Sequence, residues 1–164
     1  MRYLVIVLLL CAITAPASPS LSQLRELYYM APENKAAADE LLQATEGFEE
    51  GGSPLQCAYR GMALLLQASY GFNPYHKMSC FNRGRILVDK AVQEDPANPE
   101  IRFMRFCAQT NAPSFLGYGS QINDDKTAIL HAWTKITDNE LKERIKNYML
   151  NCGYCSSKEK NVLL

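Results

Sequence analysis

The chain has 164 residues, 48% of them apolar, with 17 Lys+Arg against 17 Asp+Glu. Such a length favours one domain with a core that stands without metals or disulfides. The apolar content excludes a disordered chain, and the balanced charge excludes a strong field for nucleic acid or an anionic membrane.

The first residues read as a targeting segment. Arg2 supplies a short positive region, and Tyr3 to Ile13 is an apolar run too short to span a bilayer. Ala15-Pro16-Ala17 places small residues at a cleavage spacing, so residues 1–17 are expected to be a signal peptide and Ser18 the mature start. Cys11 is preceded by Leu10, whereas a lipobox needs a small residue there, which argues against lipid anchoring. No later apolar run is long enough for a membrane span. The expected location is outside the cytoplasm, periplasmic or secreted.

Residues 18–155 are expected to form one helical domain. Leu21 to Met30 and Asn34 to Thr45 show helical spacing, through Leu24, Leu27 and Tyr28 and through Ala37, Leu41 and Ala44. Ala31-Pro32 separates them, because proline disfavours helical geometry just before it. Gly47 to Gly52 reads as a loop. Ser53-Pro54-Leu55-Gln56 is a capping box with proline at the first helical position, opening a nearly all-apolar helix to Tyr70. Gly61 inside it costs about 1 kcal/mol against alanine and so marks a close helix approach. Gly71 to Met78 reads as an aromatic connector with Asn73-Pro74 as a turn or cap, followed by an amphipathic helix from Ser79 to Glu94.

Asn98 and Pro99 then cap a helix to Gln109 in which Ile101, Phe103, Met104, Phe106, Cys107 and Ala108 sweep an apolar arc of roughly 220°. A second aromatic loop, Asn111 to Tyr118, follows. A helix capped by Ser120 or Asn123 is expected to reach Ile136. Thr137-Asp138-Asn139-Glu140 caps the last one, which carries Leu141, Ile145, Tyr148 and Met149 and ends before Gly153. Residues 156–164 read as a flexible tail. No period-two alternation occurs, so the chain is expected to be all-α, with about six to seven helices in antiparallel hairpins.

Gly84, Ala91 and Pro96 are spaced as in the second helix and turn of a tetratricopeptide repeat, and Gly61 and Ala63 suit the small positions of the first helix. Leu55 to Gln109 therefore resembles a divergent tetratricopeptide-like hairpin plus the next helix. The connector Gly71–Met78 makes that hairpin about ten residues longer than the family period, and the spacing has no second copy. With R-F-M-R-F and Q-T-N-A-P-S-F-L-G-Y, the chain also resembles a group of small exported helical proteins from Bacteroidetes-type bacteria. The resemblance implies a helical-hairpin array and carries no catalytic residues.

Three groups of side chains are candidates for chemistry. Arg102, Arg105 and Gln109 form one polar stripe on an otherwise buried helix. Two guanidinium forks there, joined by Asn111 and Tyr118, suit an anion or carboxylate. The competing expectation is internal pairing with Asp89, Asp124 or Asp125, since a buried arginine needs a partner in any case. Cys152 and Cys155 resemble a redox pair, but they follow a helix C-terminus, where no dipole lowers a thiol pKa. They are read instead as a candidate structural disulfide; Cys57, Cys80 and Cys107 read as small buried hydrophobes. Zinc is not expected, because His76 and His131 are distant from the pair.

The two aromatic connectors are the third group. Short connections force them to the same end of the array, so Phe72, Tyr75, Phe115, Leu116 and Tyr118 are expected to meet, with His76 and Asn111 at the rim. No nucleophile, phosphate-loop or metal motif is visible. The expected function is a non-enzymatic, cofactor-free protein- or peptide-binding scaffold of the cell envelope. The alternative is a small-anion binder or enzyme built on Arg102 and Arg105.

Overall fold

A computed structural model describes residues 18–164. The signal segment expected at 1–17, its cleavage site and Cys11 lie outside the described residues. Within 18–164 the protein is all-α: nine α-helices and two short 3-10 turns, with no strand. They are α1 (Leu21–Met30), α2 (Lys35–Ala44), α3 (Phe48–Gly51), α4 (Pro54–Tyr70), α5 (Pro74–Glu94), α6 (Pro99–Asn111), α7 (Ile122–Ala132), α8 (Asn139–Asn151) and α9 (Ser157–Val162). No helix among the described residues is long and apolar enough to cross a membrane.

Capping chemistry sets most of the helix starts. Ser53 and Gln56 form the expected reciprocal box at α4, and the Asn98 side chain accepts from the Glu100 and Ile101 N–H groups at α6. The same Asn-Pro signal operates at α5, where Asn73 accepts from the Tyr75 and His76 N–H groups and Pro74 takes the first helical position. The expected connector Gly71–Met78 is therefore only Gly71–Asn73, and its second half is helix.

Other boundaries also differ from expectation. Gly47–Gly52 contains the single turn α3. Asp138, not Thr137, caps α8 by accepting from the Leu141 N–H. The helix before it starts at Ile122 without a side-chain cap and ends at Ala132, with a 3-10 turn at Trp133–Lys135. The segment 156–164, expected to fray, forms α9. Ser156 and Glu159 box its start, and Leu163 is 1% exposed in the core. Gly153 adopts φ 76° just past α8, a backbone state that favours glycine.

The α4–α5 hairpin is the central pair. A Cβ on Gly61 would stand 2.8 Å from the Gly84 carbonyl oxygen and 2.6 Å from a Val88 methyl. A Cβ on Gly84 would stand 2.7 Å from the Gly61 carbonyl oxygen. The two glycines therefore let the backbones touch, as Gly61 led us to expect. Around this pair lies one core, of Leu24, Tyr28, Leu41, Tyr59, Met62, Phe81, Val88 and Ile101. A second core joins Phe103, Phe106, Ile129, Trp133, Ile145, Met149, Cys155 and Leu163. Each large side chain so buried contributes roughly 1.5–3 kcal/mol. Helix α6 serves both cores, with Ile101 and Met104 on one and Phe103 and Phe106 on the other.

Candidate functional site

The arginine stripe on α6 is closed by acids. Asp125 of α7 is wholly buried and accepts four N–H groups. Its Oδ1 takes Arg102 Nη1 at 2.9 Å and Arg105 Nη2 at 2.8 Å; its Oδ2 takes Arg105 Nε at 2.8 Å and Gln109 Nε2 at 2.9 Å. All four lone-pair directions of the carboxylate are thereby used. Arg105 also reaches Asp89 at 3.3 Å, and the Tyr118 hydroxyl donates to the same oxygen at 3.2 Å. Gln109 Oε1 accepts the Gln121 N–H at 3.0 Å, which fixes the entry to α7. Burial alone would lower the Arg105 pKa, but the bonds and charge of Asp125 and Asp89 hold it above its ordinary value. Of the three acids weighed from the sequence, Asp89 and Asp125 pair and Asp124 stays exposed. Asn111 does not join the stripe; it donates to the Cys107 carbonyl and to the Tyr148 hydroxyl.

A second buried ion cluster went unread in the sequence. Arg25 grips Glu100 with two parallel bonds of 2.8 and 2.7 Å and reaches Asp138 at 2.6 Å. The Tyr59 hydroxyl donates to Glu100 at 2.6 Å. These contacts tie α1 to α4, α6 and the start of α8. The available signal was Arg25 itself, a charge placed between Leu24 and Tyr28 on the buried face of α1.

All five cysteines of the described residues are free thiols, Cys152 and Cys155 among them. Cys152 stands just past the end of α8, with its sulfur 3.7 Å from the Met149 carbonyl oxygen, and beyond Gly153, at positive φ, Cys155 is buried in the second core. Burial, then the neighbouring Cys152, pushes the Cys155 thiol up to about 11, away from the reactive thiolate range. Cys57, Cys80 and Cys107 are buried, as small hydrophobes are.

Among the described residues an apolar groove of about 970 Å³ lies open between the two cores. Tyr28, Met62, Ala68 and Phe81 of the first core and Phe103 and Cys107 of the second reach into it. Leu65 and Leu66 of α4 and Ala108 of α6 are half-buried along its walls. Both expected connectors border it, the first through Pro74, Lys77 and Met78 at the start of α5 and the second through Asn111, Ala112, Pro113, Phe115 and Leu116. The expected placement of the two connectors at one end is thus met. The expected cluster between them is not. Phe72, Tyr75 and Phe115 are 99%, 89% and 83% exposed, whereas Tyr118 is buried edge-on against Phe81. Phe72 and Tyr75 lie outside the groove lining, and His76 is exposed, with its Nε2 3.4 Å from the Cys80 sulfur.

Polar groups are few in the groove. The Tyr148 hydroxyl is occupied by Thr110 at 2.7 Å and Asn111 at 2.6 Å. Burial, then Cys107, pushes the Tyr148 pKa up to about 12. The remaining polar lining is Ser69, Asn147, Lys77, Arg144 and the hydroxyls of Tyr28 and Tyr29. Arg144 stacks on the Tyr29 ring, 4.2 Å from its centroid. Such a volume is at the upper end of the usual range for ligand sites, about 300–1,000 Å³.

Comparison with known proteins adds no relative: no family model matches the chain, and neither a curated protein nor a solved structure does.

Proposed function

We propose that this is an exported, non-enzymatic binding module whose groove holds an apolar helix of a partner polypeptide. The supporting observation is the groove itself. It leaves apolar wall and floor open between two otherwise closed cores, and Phe115 stands exposed beside it. A large, mostly apolar concave groove on a folded domain is the place where a binding site is expected. The occupant is helical for a chemical reason. An extended peptide would bring a row of unpaired amides to a lining whose floor is mainly apolar and whose few polar groups are scattered, whereas a helix satisfies its own backbone. The ion pairing of Arg102 and Arg105 supports this function over an anion site on the stripe, because those guanidinium donors already have carboxylate partners.

A fluorescein-labelled helical peptide with a Leu/Ala face and Gln elsewhere tests the proposal by anisotropy. Met78→Gln with Phe115→Gln changes two exposed groove residues and is expected to weaken binding about tenfold, as loss of central apolar contacts does. Equal affinity of the two proteins, with the variant folded, would contradict the groove as the binding surface.

A further inference from the structure

Resting on that groove assignment, we infer that the partner helix is acidic, carrying Asp or Glu beside its apolar face, and that Lys77 and Arg144 receive those carboxylates. The groove has a one-sided charge. Its lining holds Lys77 and Arg144 and no Asp or Glu, in a chain whose formal charge is zero. Neither base takes part in an ion pair among the described residues, although eight other Lys and Arg side chains do.

Both bases line the groove, and a run of contacts leads from each toward the C-terminal end of α1. Arg144 covers Tyr29 in the last turn of α1. The Lys77 stem lies against Gly71, next to Tyr70, whose hydroxyl is 2.6 and 2.8 Å from the Ala31 and Pro32 carbonyl oxygens just past α1. Lys77 also stands in the first turns of α5, whose opening turn contains no acid to offset its positive end. Glu26 and Glu140 line a smaller adjoining hollow that shares Tyr29 and Arg144 with the groove, yet neither pairs with Arg144. A basic helix would meet two unpaired cations along this groove, and a neutral one would leave them unused. An acidic amphipathic helix places its apolar stripe on the floor and its carboxylates on the bases.

Three peptides with the same Leu/Ala face and Glu, Gln or Lys at the polar positions distinguish these cases by anisotropy against the purified protein. The Glu peptide is expected to bind about three- to tenfold tighter than the Gln peptide, the Lys peptide weakest, and the preference to shrink in high salt. Lys77→Glu with Arg144→Glu is expected to invert the order. Arg144 is exposed and Lys77 half-exposed, so the variant should keep its fold, which its thermal melt checks. Equal, salt-independent binding of all three peptides would overturn the acidic partner and leave the apolar groove standing. Preference for the Lys peptide would do the same. Binding of laurate with none of the peptides would overturn both the acidic helix and the polypeptide partner. Absence of binding by any of these probes would remove the groove function itself.

Discussion

Replacing Asp125 by alanine should unfold more than it frees. The carboxylate is fully buried and is the shared acceptor for Arg102, Arg105 and Gln109. Without it, Arg105 keeps only the 3.3 Å contact with the partly exposed Asp89, and Gln109 loses the acceptor of its amide. Removing one partner of a buried ion pair costs about 3–5 kcal/mol, mostly as the desolvation of the charge left behind. For a chain of this size that corresponds to a fall in Tm of roughly 10–15 °C. Asp125→Asn is the sharper variant. It keeps one oxygen acceptor but turns an N–H toward groups that are themselves donors, so its loss should approach that of alanine. Urea unfolding followed by circular dichroism reads the change as a lower midpoint at constant slope. A loss below about 1 kcal/mol in both variants, with phosphate binding in the parent abolished by Arg105→Ala, would refute the structural role and return the stripe to a ligand site.

Further outcomes follow from the packing and the titrations. Gly61→Ala gains about 1 kcal/mol of helix propensity but overpacks against the Gly84 and Val88 backbone, at roughly 1–3 kcal/mol. A net lower Tm is expected, with Gly84→Ala adding less than its own effect once the helices have been forced apart; a higher Tm for either would contradict the close approach. The Asp138 carboxyl is held below the ordinary carboxylate range, first by the Leu141 N–H and then by Arg25. Its contribution is complete above about pH 4 and is lost as pH falls through the depressed value, so Asp138→Asn should flatten the acid limb of a stability–pH curve. Cys155 should resist iodoacetamide at pH 7 in the folded protein and react in urea, and fast labelling in the native state would contradict its burial. Deleting residues 156–164 should lower stability through the loss of Leu163 from the second core, by about 1.5–3 kcal/mol.

Local chemistry written in adjacent residues was legible; chemistry assembled between helices was not. The Ser53–Gln56 box and the Asn98–Pro99 start read directly, because each is a side chain bonding its own backbone neighbours. Asn73–Pro74 carries the same signal and reads as a turn or a cap, but the aromatic residues around it suggest a connector that runs on to Met78. The glycine contact of α4 with α5 was half visible: a glycine in a helix announces an approach without naming what approaches. The acids on Arg105 were legible as a short set of choices, and only the turn of α7 against α6 selects Asp125 over its neighbour Asp124. Arg25–Glu100 spans 75 residues of sequence, and no spacing rule reaches that far. The groove was least visible of all. It exists because α6 divides its apolar arc between two cores, and periodicity reports that a residue is apolar without reporting which neighbour covers it.

Photo-crosslinking in the producing cell tests the central claim most directly. A benzoylphenylalanine at position 115 sits beside the groove, and one at position 86 replaces Ile86, which is 60% exposed and outside the groove lining. Irradiation should join position 115, and not position 86, to one polypeptide, through a segment with an apolar helical face. Equal labelling from both positions, or none from 115 in folded protein, would contradict the groove as the place where this protein meets its partner.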